Sequence, residues 1–402
     1  MTSKAIWVIN QFAGHTNSGW GERHFLFSKY WIENGFDVTI ISGSFNHVFK
    51  NYPHAPFKYN YEIIEKRKFC WVKVPKYKAE SAKRFWSMLV FAFRCIGLKK
   101  NELGKPDVII VSSMPIFPIL SALILKIKYK KVKILFEIRD LWPESLIQIK
   151  EISKIHPLVL FFRLFEWIGY KYSDRIITLL PNSIEYFKKF NIKSNKISII
   201  PNGIDINLKN EELNKELVNK LTNQKFKIIY TGTIGYPNCI ELLVKSAELL
   251  KNNTDIHFYI VGDGHQKENC IKLAKDLTNI TFIDKVPKSY VQSILKFADV
   301  CFIGWRELGL YKHGVSANKY FDYMLAAKPI LDSNNLIKDP VELSGCGLIV
   351  KPDSAEAIAN GIIELYSLGD EKLKEMGQKG REFVSKNHNI KHLASLYSEL
   401  FG

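Results

Sequence analysis

The sequence predicts an α/β fold of two doubly wound domains, each a parallel sheet covered by helices on both faces. Short apolar runs rich in Val and Ile alternate with segments of helical spacing along the chain, which is typical of parallel sheets. These runs form two successive sets of six. The length of 402 residues is also sufficient for two domains.

The first domain begins with a strand close to the N-terminus. Its predicted strands are 5–10, 38–42, 108–112, 133–137, 175–179 and 197–200. Helices are expected at 81–98 and 157–170, with apolar residues at helical spacing. Residues 118–125 also predict a helix, with Pro118 in its first turn. The prolines and serines around it argue against a membrane span.

The second domain repeats this alternation. Its predicted strands are 227–231, 257–261, 280–283, 300–303, 329–331 and 347–350, and helices are expected at 241–251 and 355–368. A polar stretch rich in Asn, Lys and Glu follows Asp205. We therefore place the domains at 1–205 and 206–402, and expect the last helix to pack back towards the first domain.

Charge is distributed unevenly between the two halves. Residues 1–205 carry 32 Lys and Arg against 16 Asp and Glu, whereas residues 206–402 carry 25 against 24. A strongly basic half indicates an anionic partner, which is a membrane surface, a nucleic acid or a phosphorylated substrate. The six scattered cysteines favour reduced thiols, and residues 1–9 lack the features of a signal peptide. These features predict a cytoplasmic protein.

Ligands of such sheets bind beyond the carboxyl ends of the strands, so the residues that follow each strand are the candidates for function. In the first domain, residues 13–24 form a glycine-rich loop that leads into a helix, an arrangement that favours anions. It does not fit the dinucleotide fingerprint. Residues 137–144, Glu-Ile-Arg-Asp-Leu-Trp-Pro-Glu, place three acids, an arginine and a tryptophan at another strand end.

In the second domain, glycine-rich turns follow two strands, at Gly232 and at Gly262-Asp263-Gly264. Backbone N–H groups in such turns hold phosphates. A third turn at Gly314 opens a helix on which Lys319 and Asp322 share one face, being three residues apart. This geometry suits a diphosphate at the lysine and ribose hydroxyls at the carboxylate. The alternative interpretation is a surface ion pair of little energetic value.

The order of these segments along the chain resembles that of retaining family-4 glycosyltransferases with the two-domain GT-B fold. The resemblance covers essentially the whole chain, and it extends to the subgroup of O-antigen and capsule clusters typified by L-fucosaminyl transferases. It rests on the runs 137–144, 201–205 (Pro-Asn-Gly-Ile-Asp) and 314–324 (Gly-Val-Ser-Ala-Asn-Lys-Tyr-Phe-Asp-Tyr-Met). The first and third runs together are the more specific ones.

The chain also departs from the pattern of this family. Its members often carry an Arg and a Lys after the first strand of the C-terminal domain, where this chain has Thr233 and Asn238 or Cys239. Lys319, helped by Arg306 or Lys312, then has to supply the positive charge. The two-glutamate motif is incomplete, with Gly314 and Asp322 at its positions, and Arg139 replaces a histidine.

The resemblance implies that a sugar passes from a nucleotide diphosphate sugar to an acceptor hydroxyl with retention of configuration. It assigns catalytic roles to Arg139, Asp140 and Lys319. The expected donor-binding residues are Asn202, Gly232, Thr233, Gly262, Asp263, Gly314, Val315, Ser316, Asn318, Lys319 and Asp322, and the expected acceptor-binding residues are Gly19, Gly21, Arg23 and Glu137. No metal and no cofactor are expected. UDP, the commonest nucleotide of the family, is the expected carrier.

The basic half then indicates a membrane-bound acceptor. Residues 65–100 contain 11 Lys and Arg interleaved with seven aromatic residues, and basic, aromatic helices lie in membrane interfaces. We expect a polyprenyl-diphosphate-linked glycan as acceptor in O-antigen, lipopolysaccharide or capsule synthesis. The protein is then peripheral on the anionic inner face of the cytoplasmic membrane. The alternative is that these helices simply pack on the first sheet.

Two other functions are compatible with parts of the sequence. A UDP-sugar 2-epimerase shares the two-domain architecture and converts a UDP-amino sugar without an acceptor. A basic nucleic-acid-binding protein fits the charge, but the chain carries no helix-turn-helix, zinc or RNA-binding signature. Basic charge also leaves the phosphate-binding turns of the neutral half unexplained, so no nucleic-acid partner is expected.

Overall fold

A computed structural model of the protein describes residues 3–19, 21–78, 81–208, 210–222 and 225–402. The chain divides into two compact units. Unit 1 comprises Met1–Asn202 together with Ile390–Gly402, and unit 2 comprises Gly203–Asn389. The division falls three residues before the boundary expected from the sequence, and the C-terminal segment is part of unit 1.

Unit 1 is built on an eight-stranded sheet in the order β3-β4-β2-β1-β5-β6-β7-β8. All neighbouring strands are parallel except β3 and β4. The strands are Ala5–Ile9 (β1), Asp37–Gly43 (β2), Tyr59–Ile64 (β3), Arg67–Val72 (β4), Val108–Ser112 (β5), Lys133–Ile138 (β6), Arg175–Thr178 (β7) and Ile197–Ile199 (β8). The helices are Arg23–Glu33 (α1), Ala82–Ile96 (α2), Lys100–Leu103 (α3), Pro118–Tyr129 (α4), Glu144–Ile149 (α5), Pro157–Tyr172 (α6), Ile184–Lys188 (α7) and Ile390–Ser398 (α16).

The C-terminal helix α16 completes the core of unit 1. Its apolar residues pack with those of α1 and β1, and Trp31 donates its indole N–H to the Ala394 carbonyl oxygen at 2.9 Å. The Trp31 ring lies 5.2 Å from the rings of both Tyr397 and Phe401. Burying three aromatic rings together contributes strongly to stability, so the segment is an integral part of this unit.

Unit 2 contains a six-stranded, fully parallel sheet in the order β11-β10-β9-β12-β13-β14. Apolar clusters cover both of its faces. The strands are Phe226–Thr233 (β9), Ile256–Asp263 (β10), Ile280–Ile283 (β11), Val300–Gly304 (β12), Ile330–Ser333 (β13) and Gly347–Val350 (β14). The helices are Lys215–Leu221 (α8), Ile240–Leu249 (α9), Lys267–Leu273 (α10), Lys288–Leu295 (α11), Asn318–Leu325 (α12), Pro340–Ser344 (α13), Ala355–Ser367 (α14) and Gly369–Asn387 (α15).

The structure confirms the predicted fold class, and each of the twelve predicted strands has a counterpart in it. The hairpin β3–β4 was not predicted, because its residues have the composition of a basic, aromatic surface. Four of the seven aromatic residues counted there are in fact buried, namely Phe69, Trp71, Tyr77 and Phe91. Trp86 and Phe93 on α2 are 59% and 74% exposed.

Helix length and composition also bear on the membrane question. Among the residues that the structure describes, no helix combines the length and the apolar character that a membrane crossing requires. All six cysteines are buried free thiols.

Candidate active site

The carboxyl ends of β9 and β10 approach each other closely at two glycines. Gly232 pairs with Gly262 in the register of the parallel strands, and both adopt positive φ, 147° and 152°. A Cβ atom on Gly262 would overlap the carbonyl oxygen of Gly232. Only glycine fits at this close approach of the two strands, which we call the glycine pair.

We expect Gly262→Ala to lower the free energy of unfolding by about 2–3 kcal/mol, because the new methyl group must displace backbone atoms. Urea denaturation measures the loss. The matched control is Gly369→Ala in the same unit, at φ 75° with no atom within 4 Å of the new Cβ. It costs only the strain of the positive φ, about 1 kcal/mol. Equal losses in the two variants would contradict the crowding argument.

The Lys319 side chain lies against Gly232 of this glycine pair. It is the second residue of α12, and a Cβ atom on Gly232 would lie 3.2 Å from its Cδ. Its Nζ donates to the Tyr230 hydroxyl at 3.0 Å and to the Asn238 side-chain oxygen. The hydroxyl of Tyr230 and the amide of Asn238 both donate to the carbonyl oxygen of Thr233, at 2.6 and 2.9 Å. The lysine head group is thus held at the carboxyl end of β9.

Burial lowers the pKa of Lys319 to about 7, although the nearby carboxylate of Asp332 acts in the opposite direction. A lysine with this pKa changes charge near neutral pH. An anionic ligand favours its protonated form. The site can therefore supply one cation when a diphosphate approaches.

Asp332 and Asp339 form an acidic pair behind this helix that the sequence analysis missed. Asp332 is fully buried in β13, and burial next to Asp339 raises its pKa well above the usual range. Asp339 accepts a hydrogen bond from Tyr320 at 3.2 Å, and Tyr320 accepts one from the Trp305 indole at 2.8 Å. The available signal was an aspartate directly after the short apolar run 329–331, at a strand end.

The other predicted donor residues occupy varied environments. Gly314 has φ 85° and ends a short 3-10 helix, Val315 and Ser316 are half-buried, and Asn318 and Asp263 are exposed. The carboxylate of Asp322 forms an ion pair with Lys288 on α11. Arg306, the expected helper of Lys319, is instead engaged by the carboxylates of Glu241 and Asp353. Lys312 is exposed.

In unit 1, the glycine-rich loop folds against the start of α1. Gly19 and Gly21 have φ of 72° and 81°. The Gly14 N–H donates to the Gly21 carbonyl oxygen at 3.1 Å, and a Cβ atom on Gly21 would overlap the carbonyl oxygen of Phe12. Both glycines are thus required by the backbone conformation of the loop.

Arg23 and Glu137 form a buried polar centre beneath this loop. The Arg23 guanidinium donates to Glu137 at 3.1 Å, to the carbonyl oxygens of Ile200 and Pro201 at 2.8 and 2.7 Å, and to the Asn202 side chain at 3.1 Å. The other carboxylate oxygen of Glu137 accepts from Ser112 at 2.8 Å and lies 3.0 Å from His24 Nε2. Burial alone would raise the pKa of Glu137, but Arg23 and His24 hold it well below its usual range.

This geometry corrects the interpretation of Glu137 and Arg23 as direct acceptor contacts. The Glu137 residue is 0% exposed and Arg23 only 7%. Two opposite charges at a strand end were expected to face the ligand crevice, but they neutralise each other in the interior. Their place is below the loop, where they position the start of α1 and the segment that ends at Asn202.

Arg139 and Asp140 follow directly after β6. The Arg139 backbone N–H donates to the Ser113 hydroxyl at 3.1 Å, and its half-buried side chain has a pKa that burial lowers, against the opposing effect of Glu137 and Asp140. The side chain of Asp140 is exposed. The candidate catalytic residues are therefore divided, with Arg139 and Asp140 on unit 1 and Lys319 on unit 2.

Comparison with known proteins agrees with this two-unit architecture. The family model Glycosyltransferase Family 4 matches residues 22–208, and the model Glycosyl transferases group 1 matches residues 225–368. By its family domains and its fold, the chain is a glycosyltransferase with a nucleotide-sugar donor. The two matches together support its place in the family 4-like group of these enzymes.

One curated relative is the chitobiosyldiphosphodolichol beta-mannosyltransferase of Kluyveromyces lactis. It is 22% identical over 335 residues, which are 74% of this chain and 71% of that protein. It is similar to this chain at low identity, and its name describes a lipid-linked diphosphate acceptor.

Several solved structures share the fold. Sucrose-phosphate synthase from Thermosynechococcus elongatus has a TM-score of 0.75 at 15% identity and covers 99% of this chain and 98% of its own. Anabaena HepE in complex with UDP and glucose has a TM-score of 0.66 at 11% identity and covers 99% of both chains. WaaG, a glycosyltransferase involved in lipopolysaccharide biosynthesis, has a TM-score of 0.67 at 10% identity and covers 98% of this chain and 99% of its own. These are structures of the GT-B fold, which is also the fold of this chain.

Proposed function

We propose that this protein transfers a sugar, a deoxy- or N-acetylamino sugar, from a UDP-linked donor to a lipid-linked glycan with retention of configuration. The observation that carries the proposal is the position of Lys319 against the glycine pair, Gly232 and Gly262, at the carboxyl ends of β9 and β10. Lys319 and the backbone around Gly232 and Gly262 bring together an amine and a glycine-rich strand end, the kinds of group that bind a diphosphate.

In this proposal the donor lies on unit 2, with its diphosphate at Lys319. Gly314, Val315, Ser316 and Asn318 approach the phosphates at the N-terminal end of α12. Thr233 and Asp263 contribute further donor contacts, whereas the buried Asp322 is paired with Lys288 and Asn202 is held by Arg23 of unit 1.

The reaction develops negative charge on the leaving diphosphate. A positioned cation and backbone N–H groups stabilise this charge in the transition state. We propose a same-face displacement in which the leaving phosphate accepts the proton of the acceptor hydroxyl, so that no separate nucleophile is required. Arg139 and Asp140 orient the acceptor hydroxyl and the donor sugar beside the loop of Gly19 and Gly21.

The proposed acceptor is a glycan on polyprenyl diphosphate, used in O-antigen or capsule synthesis. Two similar proteins support this choice, since the name of the Kluyveromyces lactis relative describes a diphosphate-linked lipid acceptor and WaaG is involved in lipopolysaccharide biosynthesis. Peripheral contact with the inner membrane face fits the exposed Trp86 and Phe93 of α2 and the exposed Leu160, Leu164 and Trp167 of α6. Basic residues of unit 1 supply the attraction to anionic lipid.

The donor site is tested by measuring thermal stability with a panel of nucleoside diphosphates. A ligand that binds only the folded protein raises its melting temperature by mass action. We expect UDP to raise it, with GDP, ADP and CDP giving little or no shift at the same concentration. A shift with GDP alone would contradict UDP as the donor nucleotide, but it would still support a glycosyltransferase. No shift with any diphosphate would contradict the donor site.

A further inference from the structure

Unit 1 contains an apolar cavity of about 330 Å³ that the site described above does not use. It lies between α2, the segment after β5 and helices α5 and α6. Phe85, Met88, Pro115, Trp142 and Phe162 are among its lining residues. Its volume falls within the range of small-molecule sites, ~300–1,000 Å³, and most of its lining is hydrocarbon and aromatic surface.

Arg84 is the one charged side chain among the twelve that line the cavity. It is half-buried on α2. Its charge acts on His47, whose pKa burial and Arg84 both lower, and on Tyr77, where it opposes the raising effect of burial on the pKa. Arg84 therefore lines the apolar cavity and is near enough to His47 and Tyr77 for its charge to act on both.

That cluster consists of Phe45, His47, Tyr52 and Tyr77. The rings of Phe45 and Tyr52 are stacked with centroids 5.1 Å apart, and the Phe45 ring meets Tyr77 edge-on at 5.1 Å. His47 Nδ1 lies 3.4 Å from the Tyr77 hydroxyl. Phe45 and His47 follow β2, so the cluster belongs to the carboxyl end of the sheet. Aromatic faces with polar neighbours suit a ligand that is both apolar and hydrogen-bonding.

Apolar surface continues outward from the cavity. The Phe85 ring lies 6.2 Å from those of both Phe161 and Phe162. The same two helices also carry exposed apolar side chains, since Trp86 of α2 and Leu160 and Leu164 of α6 are each more than half exposed. Large exposed apolar groups beside a cavity mark an interaction surface, and the 38% exposed Phe161 provides an apolar path from the cavity-lining Phe85 to the surface of α6.

From this arrangement we propose that the cavity binds the isoprene units nearest the head group of a polyprenyl diphosphate, with Arg84 contacting the diphosphate. The argument is charge complementarity. One cation at the mouth of an otherwise uncharged cavity matches an apolar tail that carries an anionic head. The inference rests on the proposed function, because it assigns the lipid end of the acceptor, and it adds a defined pocket to a general membrane contact.

The path gives the lipid a direction. The tail leaves past Phe161 to the exposed apolar surface of α6, while the diphosphate at Arg84 directs the glycan to the carboxyl end of the sheet. His47, Tyr77 and Phe45 then lie beside the first sugar. Specificity for a prenyl chain comes from shape, because branched, unsaturated units fill a short cavity lined by aromatic rings.

The test is a calorimetric titration with farnesyl diphosphate, compared with inorganic diphosphate and farnesol. We expect farnesyl diphosphate to bind at least about tenfold more tightly than either fragment, since the site needs both tail and head. Ala82→Trp, at an exposed lining residue, narrows the cavity without crowding the core. It should weaken this binding at least about tenfold. Arg84→Gln should also weaken it, and Lys83→Gln, at an exposed neighbour outside the lining, should not.

Several outcomes overturn the proposal. One is equal binding of farnesyl diphosphate by the wild type, Ala82→Trp and Arg84→Gln. Another is binding no tighter than that of inorganic diphosphate. Vesicles of anionic phosphatidylglycerol should bind the wild type and Ala82→Trp alike. If vesicles bind while farnesyl diphosphate does not, the apolar surface is a membrane contact only and the cavity assignment is wrong. The UDP-induced rise in melting temperature reports on unit 2, so failure of the donor site is seen separately.

Discussion

Replacing Glu137 with alanine is expected to destabilise the protein by about 3–5 kcal/mol, the largest effect on stability that we predict. The substitution removes the only carboxylate that contacts Arg23 among the residues described, and it leaves a buried guanidinium next to His24. An uncompensated buried charge costs far more than a lost surface pair. Urea denaturation at neutral pH measures the change in the free energy of unfolding.

Two controls separate charge from packing. Glu137→Gln keeps the shape and the hydrogen bond from Ser112 but removes the charge, so its loss should be close to that of alanine. Glu185→Ala removes a carboxylate that pairs with Lys188 on the surface of the same unit, 73% exposed, and should cost no more than about 0.5 kcal/mol. Similar losses for Glu185→Ala and Glu137→Ala would rule out the buried-charge account.

Replacing Lys319 with methionine is expected to weaken binding of UDP, or turnover of the UDP-sugar, at least about tenfold, which corresponds to about 1.4 kcal/mol. Methionine keeps an apolar chain over Gly232 but removes the charge-assisted contact with the diphosphate. Calorimetry with UDP gives the dissociation constant. Lys374→Met, at an exposed lysine of α15 in the same unit, is the matched control and should bind UDP as the wild type does. Unchanged binding by Lys319→Met would mean that the diphosphate lies elsewhere.

The pH dependence of UDP binding is a second readout of Lys319. Because burial lowers its pKa to about 7, the charged amine that attracts a diphosphate is lost as pH rises through this value. Phosphate groups titrate near pH ~6, so the charge of UDP is nearly constant above neutrality. Wild-type affinity should fall by about tenfold or more between pH 7 and 9. Lys319→Met should show a flat profile over this interval.

The alternation of strands and helices sufficed to predict both sheets, because buried parallel strands are continuous apolar runs. The β3–β4 hairpin escaped prediction for a local reason. Its turn residues, Glu65 and Lys66, both adopt positive φ, 46° and 68°. Such turns usually carry Asn or Gly. Two charged residues there, next to Arg67 and Lys68, resemble a basic surface segment.

The candidate site was predictable in part. Glycines at strand ends pointed to turns at Gly232 and at Gly262, but the close approach of these two residues is seen only in the structure. Arg23 and Glu137 were interpreted as acceptor contacts, because sequence does not reveal that two charges 114 positions apart meet in the interior. Asp332 follows the predicted strand 329–331 directly, but it was overlooked because sequence does not reveal that it meets Asp339 in the interior. The pairing of charges that are distant in sequence is therefore the part of the site that could not be predicted from the sequence.

The position of α16 has a consequence for how the protein is made. Residues from 390 onward complete the core of unit 1, yet the 187 residues of unit 2 are synthesised before them. At about 5–20 residues per second, the ribosome needs about 10–40 s for that stretch. During this interval Trp31 and its apolar neighbours lack their final covering. Unit 2, whose chain is continuous, can fold first, so the N-terminal unit is the last to complete its folding.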